Sequence, residues 1–274
     1  MLKRSITGAC YVAVMVAFFL LRELLDARLF HIFTCCLLIA GTVEIVNALK
    51  NYLSKFLRIT AIVGASLIAP CYCAFEYLIA PFSGFIASLS IILVGVIIAV
   101  VCCTINKLSF KKNSVAILPF IYPALFLTFM LLANDGAYGF IVLLLSFVVS
   151  PLSDTFAYLV GCSIGGKKLC PKLSPKKTWS GAIGGTVGGI VGALVVYFIF
   201  TPTVNFFSPA LWFGIVGFTA SIVNIFGDLF ESYIKRKVGI KDMGKILPGH
   251  GGVMDRIDGT LFAVVWIYLL FLFV

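Results

Sequence analysis

Five of the chain's eleven acidic residues fall between positions 228 and 258: Asp228, Glu231, Asp242, Asp255 and Asp258. Among them stand Ser232, Lys235-Arg236, Lys241, His250-Gly251-Gly252 and Arg256. Asn224, Asp228, Ser232 and Lys235 share one helical face, because residues three and four apart are neighbours on a helix. Asp255 and Asp258 lie one turn apart where the final apolar run begins. Carboxylates from two helices at one membrane depth can share a hard divalent cation such as Mg²⁺. The surrounding lysines and arginines would repel that metal unless an anionic third partner were present, and a polyphosphate is such a partner. Acids for metal and bases for phosphate describe a nucleotide or polyphosphate site. A salt-bridged loop is the plainer alternative.

A second set precedes it. Ser146, Ser150, Asp154 and Tyr158 recur every four residues, again on one helical face. Gly161, Gly165-Gly166-Lys167-Lys168 and Ser174-Pro175-Lys176-Lys177-Thr178-Trp179 follow. Glycines let backbone N–H groups approach a phosphate, and lysines supply counter-charge. Walker A spacing is absent. The competing reading is a basic loop that sets topology or touches anionic lipid. Between the two sets, Gly181, Gly185, Gly189 and Gly184, Gly188, Gly192 form two four-residue ladders. Such ladders let helix backbones pack closely.

These residues need elements to hold them, and composition says of what kind. Of 274 residues, 61% are hydrophobic and 12% charged, and the mean hydropathy is +1.12. Soluble domains carry roughly 25% charged residues. Disorder, a secreted disulfide module and an ordinary soluble domain are therefore disfavoured. A helix needs about 20 apolar residues to cross the hydrocarbon. Nine runs qualify: 6–21, 29–49, 59–80, 85–105, 115–133, 138–161, 181–201, 209–229 and 258–274. Pro151 interrupts the sixth. The expected fold is an all-α polytopic membrane protein, with N-terminal spans in 1–114 and the chemistry in 115–274.

The formal charge of +10 is distributed by side. Nineteen of the 21 basic residues lie at the N-terminus or in loops after the second, fourth, sixth and eighth runs. The loops after the third, fifth and seventh contain none. The positive-inside rule then places the N-terminus in the cytoplasm and the C-terminus outside. Both long polar loops, 162–180 and 230–257, face the cytoplasm on that reading. The positive balance is a membrane-surface feature, and no nucleic-acid partner is expected. The nine cysteines fall mostly in apolar runs and read as reduced, buried thiols. Glu44 and Glu76 stand alone within spans, where hydrogen bonding to structure is the favoured role. The stretch after Lys3 and Arg4 lacks a small-residue cleavage site and reads as a retained span.

Ser232-Tyr-Ile-Lys235-Arg236, Lys241-Asp242-Met-Gly244 and Leu247-Pro248-Gly-His250-Gly251-Gly252-Val-Met-Asp255-Arg256-Ile-Asp258 resemble the signature of phosphatidate cytidylyltransferases, or CDP-diacylglycerol synthases. Ser153-Asp154-Thr155-Phe-Ala157-Tyr158 and the 174–179 run are similar to that family too. One departure is Ser180, where the family usually has Glu. The resemblance implies condensation of CTP with phosphatidic acid to CDP-diacylglycerol and pyrophosphate. It implies a metal centre at Asp228 and Asp255, holding Mg²⁺ with a second cation beside it. Lys235, Arg236 and Lys241 would carry phosphate charge. His250-Gly251-Gly252 would form the turn presenting Asp255, with His250 a candidate general acid for pyrophosphate.

Asp154, Ser174, Lys176, Lys177, Ser232, Gly251, Gly252, Arg256 and Asp258 complete the candidate substrate-binding set. A bacterial-type inner membrane, a cytoplasm-facing active site and a homodimer are the accompanying expectations. Two alternatives are weighed beside this one. Asp255-x-x-Asp258-Gly259 imitates the opening of a CDP-alcohol phosphatidyltransferase motif, but no acid follows Asp258. A transporter with an intramembrane carboxylate pathway would explain Asp154 but not the phosphate-type loops.

Overall fold

The computed structural model describes residues 2–105, 110–247, 249 and 251–274. Ten helices and one short hairpin are formed among them. Eight of the helical stretches are long and apolar enough to cross a membrane: Thr7–Leu24, Leu29–Ala48, Lys55–Leu78, Ser83–Ile105, Val115–Asp135, Gly139–Ile164, Trp179–Phe200 and Pro209–Val238. The chain is thus an all-α polytopic membrane protein. The ninth apolar run is also helical, within Met254–Phe271. Asp255, Arg256 and Asp258 occupy its first turns, which leaves a shorter apolar remainder.

The chain divides into two compact units, Met1–Asp135 with Ile240–Asp255, and Gly136–Gly239 with Arg256–Val274. The first unit contains α1 (Leu2–Leu24), α2 (Leu29–Ala48), α3 (Lys55–Leu78), α4 (Ser83–Ile105), α5 (Phe110–Ile121) and α6 (Ala124–Asp135). The single span expected over 115–133 is two helices. Proline lacks an N–H and disfavours helical geometry in the residue before it, and the break falls at Tyr122-Pro123. Phe30, Leu38, Ile45, Tyr72, Leu127 and Met130 are buried at the centre of this unit.

The two lone acids both serve helix ends in this unit. Glu76 accepts from the backbone N–H groups of Phe82 and Gly84 at 2.8 and 3.0 Å, at the start of α4. A carboxylate there meets the orphan donors and the positive end of the helix dipole.

The second unit contains α7 (Gly139–Ile164), strands β1 (Lys168–Cys170) and β2 (Ser174–Thr178), α8 (Trp179–Phe200), α9 (Pro209–Val238) and most of α10 (Met254–Phe271). α7 runs through Pro151 without a break, and the Thr155 hydroxyl donates to the Pro151 carbonyl at 2.7 Å. The glycine ladders perform the close packing their spacing predicts. A Cβ at Gly181 would sit 2.8 Å from the Ala157 carbonyl, and one at Gly188 would sit 2.8 Å from that of Leu152, both on α7. Gly189 instead faces α9, where a Cβ would lie 2.8 Å from the Gly217 carbonyl. α8 is therefore clamped between α7 and α9 by backbone-to-backbone approach.

Ile183, Phe198, Ile199 and Phe226 are exposed on these helices, as lipid-facing residues are. All nine cysteines are free, as expected, but only Cys103 is fully buried, and Cys10, Cys36 and Cys162 are exposed. An apolar helix face turned to lipid does not need to be buried in protein.

Candidate active site

The basic loop 162–180 is a hairpin, which its composition did not signal. β1 and β2 pair antiparallel, Lys168 opposite Thr178 and Cys170 opposite Ser174. Thr178 ends β2 in extended geometry and caps α8, accepting from the Gly181 N–H at 3.0 Å. Ser180 donates to the Gly165 carbonyl and lies 3.0 Å from the Thr178 hydroxyl. It fastens the loop to the start of α8.

Adjacent residues on a strand point to opposite faces, so Lys176 and Lys177 diverge. Lys176 is exposed. Lys177 reaches α9, with Nζ 2.5 Å from Oδ2 of Asp228. The Ser232 hydroxyl, one turn further along α9, donates to the other oxygen of Asp228 at 3.3 Å. Asp228 is thus bracketed by a cation from β2 and a hydroxyl from its own helix.

α7 contributes Asp154. Its Oδ1 accepts from the Asn224 amide of α9 at 3.0 Å. The face expected from Ser146, Ser150, Asp154 and Tyr158 is real but graded: the two serines are buried, while Asp154 and Tyr158 are open to the surroundings. Lys177, Asp228 and Arg256 are its charged neighbours. The Ser150 and Ser153 hydroxyls and the Asn224 carbonyl oxygen are buried without a hydrogen-bond partner among the described residues. A bundle interior rarely leaves three polar atoms unmet without a bound group or water to take them.

The C-terminal part of α9 carries a buried pair, Lys235 Nζ and Glu231 Oε1, 3.0 Å apart at i,i+4 spacing. Asp258 has Glu231, Asp228 and Lys235 as its charged neighbours, and its Oδ1 accepts from the Gly259 N–H at 2.8 Å. Gly227 and Gly259 let α9 and α10 meet here: a Cβ at Gly227 would sit 2.7 Å from the Asp258 carbonyl. Arg236 donates from Nε to the Leu173 carbonyl at 3.3 Å, tying α9 to the hairpin turn. Four carboxylates (Asp154, Asp228, Glu231, Asp258) and three bases (Lys177, Lys235, Arg256) therefore gather within the second unit.

Of the remaining candidates, Lys241, Asp242, Gly251, Gly252 and Asp255 belong to the first unit and Ser174 to the second. Lys241 and Asp242 are exposed, and Asp255 is half-buried. Oδ2 of Asp255 accepts from the Met243 N–H at 2.9 Å and the Gly252 N–H at 2.7 Å. Gly251 has φ +87°, and a Cβ there would lie 2.9 Å from that same oxygen. The turn expected to present Asp255 is thus laced to its carboxylate. Leu247 and Gly251 pair across the loop. Ser174 lies in β2 opposite Cys170. His250 lies outside the described residues.

Three contributors were missing from the candidate set. Asn224 stood on the shared helical face and Glu231 among the clustered acids, and their four-residue spacing to Asp228 and Lys235 is the signal that selects them. Glu44 could not have been placed. It lies 209 and 210 residues before the amides it binds, those of Val253 and Met254.

Comparison with known proteins places the chain among relatives. The cytidylyltransferase family model matches residues 2–274. A phosphatidate cytidylyltransferase of Helicobacter pylori (strain ATCC 700392 / 26695) is 40% identical over 181 residues, 65% of this chain and 65% of the relative. One of Brucella abortus biovar 1 (strain 9-941) is 42% identical over 143 residues, 52% of this chain and 51% of the relative. One of Bacillus subtilis (strain 168) is 30% identical over 241 residues, 87% of this chain and 88% of the relative. The first two matches thus span about half to two thirds of those relatives' length. Taken over its whole described length, the chain belongs to the cytidylyltransferase family.

Proposed function

We propose that this chain is an integral-membrane phosphatidate cytidylyltransferase that joins CTP to phosphatidic acid, giving CDP-diacylglycerol and pyrophosphate. The observation that carries it is the contact of Lys177 with Asp228. A phosphate-type base and a metal-type acid meet at one point, beside further acids and bases of the same unit. The named relatives are phosphatidate cytidylyltransferases, which supports the choice of substrates.

In the reaction a phosphate oxygen of the lipid bonds to the α-phosphorus of CTP, and the bond from that phosphorus to the bridging oxygen of pyrophosphate breaks. The nucleophile is already an anion at neutral pH, so no strong general base is required. What the site must supply is positioning and charge. Lys177, Lys235, Arg236 and Lys241 offset the negative charge of the two substrates and of the leaving pyrophosphate. Ser174, Lys176 and Arg256 contribute donors around them, Gly251 and Gly252 form the turn that carries Asp255, and Asp154 and Asp258 orient the bases. His250 is our candidate proton donor to pyrophosphate.

We assign a divalent metal, Mg²⁺, to Asp228 and Asp255. Carboxylates are hard oxygen donors, and Mg²⁺ is commonly bound through one or two of them with substrate phosphates and water completing its shell. When bound, such a metal lowers the repulsion between the two phosphates and stabilises the leaving group.

The distribution of basic residues supports a cytoplasm-facing site in a bacterial-type inner membrane. The test is incorporation of label from [α-³²P]CTP into chloroform-soluble lipid by purified protein supplied with phosphatidate and Mg²⁺. Label in CDP-diacylglycerol supports the proposal. Absence of label in lipid from well-folded protein refutes it, and a transporter would then be the reading to pursue.

A further inference from the structure

Glu44 is only 2% exposed. Both of its oxygens are engaged: Oε1 accepts from the Val253 N–H and Oε2 from the Met254 N–H, each at 2.9 Å. These are the amides immediately before Asp255, at the first turn of α10. The carboxylate also occupies the space that side chains at Gly244 and Gly252 would need. A single buried acid from α2 is therefore the floor on which the 243–255 loop rests. Asp255 in turn holds that loop from the other side, through the amides of Met243 and Gly252.

We infer that Glu44 is a positioning residue for Asp255: it fixes the backbone that aims the Asp255 carboxylate, without touching substrate. This rests on the reading of Asp255 as a site residue of a cytidylyltransferase. The physical case does not depend on that reading. Two charge-assisted bonds to consecutive N–H groups hold two successive peptide planes in place. At a buried helix start, orphan N–H groups need such a partner. Glycines at 244 and 252 are then required by the carboxylate itself, without invoking a ligand.

The experiment uses the full chain, purified in detergent, with Glu44→Gln, Gly244→Ala and the double variant Gly244→Ala/Glu44→Asp. The first readout is amide hydrogen exchange of the 243–256 peptide and of a control peptide in α8. The second is the Mg²⁺ dependence of cytidylyl transfer, and the third is Mn²⁺ binding by paramagnetic resonance. Glu44→Gln should accelerate exchange of the loop about tenfold or more, the worth of one charge-assisted bond, with α8 unchanged. Its Mg²⁺ requirement should rise by a similar factor and Mn²⁺ binding should weaken. Gly244→Ala should reproduce this with Glu44 intact, because its methyl displaces the carboxylate. The shorter Asp in the double variant should recover much of the loss, since it makes room for that methyl.

The inference is overturned if loop exchange is unchanged in Glu44→Gln, or if the double variant is no better than Gly244→Ala. It is also overturned if activity falls only in step with loss of folded protein, at an unaltered Mg²⁺ dependence. If the wild-type chain makes no CDP-diacylglycerol, the proposed function fails. Exchange and size compensation would still decide whether Glu44 holds the loop.

Discussion

The ammonium of Lys177 and the carboxylate of Asp228 lie 2.5 Å apart, each about one-quarter exposed, at 25% and 27%. A strand from the basic hairpin thus delivers a cation onto the acid of a membrane helix. In the ligand-free protein each charge offsets the other. On the proposed function, nucleotide phosphate would take over Lys177 and a metal would take over Asp228.

Lys177→Gln should therefore have opposite effects on the two ligands. CTP binding should weaken about tenfold or more, as one charge-assisted contact is lost. Mn²⁺ binding without nucleotide should tighten, because its competitor for Asp228 is gone. Lys176→Gln, on the other face of the strand, should change both by much less. Initial rates against CTP and metal titration of the two variants check this.

Asp228→Asn and Asp255→Asn should each nearly abolish turnover, but their structural costs should differ. Asp255 binds two backbone amides of its own loop, so its replacement should also loosen 243–252 in hydrogen exchange. Asp228 is held by side chains only in the contacts seen here, and its replacement should leave exchange as it was. Asp258→Asn should reduce turnover less than either. Activity against Mg²⁺ concentration and exchange on the same preparations separate the three.

Glu231→Gln should be more destabilising than a surface change. Glu231 is fully buried and Lys235 is 9% exposed. Removing the acid from a buried pair costs about 3–5 kcal/mol, since the remaining charge stays desolvated. A lowered thermal unfolding midpoint in detergent, with stability regained in Glu231→Gln/Lys235→Met, is the expected result.

Gly188→Leu should part α7 from α8. Its Cβ alone would approach the Leu152 carbonyl to 2.8 Å. Forced overpacking costs about 1–3 kcal/mol, and the hairpin carrying Lys177 leads directly into α8, so turnover should fall as well. Thermal unfolding and labelled-lipid yield measure the two effects.

A reporter fused after Val274 should read as outside, and one inserted in the turn 171–173 as cytoplasmic. These outcomes follow from placing 19 of 21 basic residues on one side. A cytoplasmic signal after Val274 would mean that α10 does not complete a crossing.

The helices were legible because apolar length is a strong signal, and the α8 seam because small residues recur at helical spacing. The split at Tyr122-Pro123 was not, since the apolar run continues across it. The hairpin escaped because its strands, Lys-Leu-Cys and Ser-Pro-Lys-Lys-Thr, are short and polar and lack the alternation that marks a strand. The acids and bases of the site were legible as types. Their partners were not: that Lys177 rather than Lys176 meets Asp228 is decided by strand parity. That Glu44 underlies the signature is decided by tertiary contact across more than two hundred residues.

The cap on α10 also sets a schedule for making the protein. Glu44 is synthesised 209 residues before the first amide that it binds. At about 5–20 residues per second that is an interval of roughly 10–40 s. Throughout it, α2 holds a carboxylate whose final donors do not yet exist, in a medium that penalises unmet polar groups. Maturation of the first unit is thus coupled to translation of the last helix. A ribosome stalled before residue 253 would leave Glu44 without both of these donors.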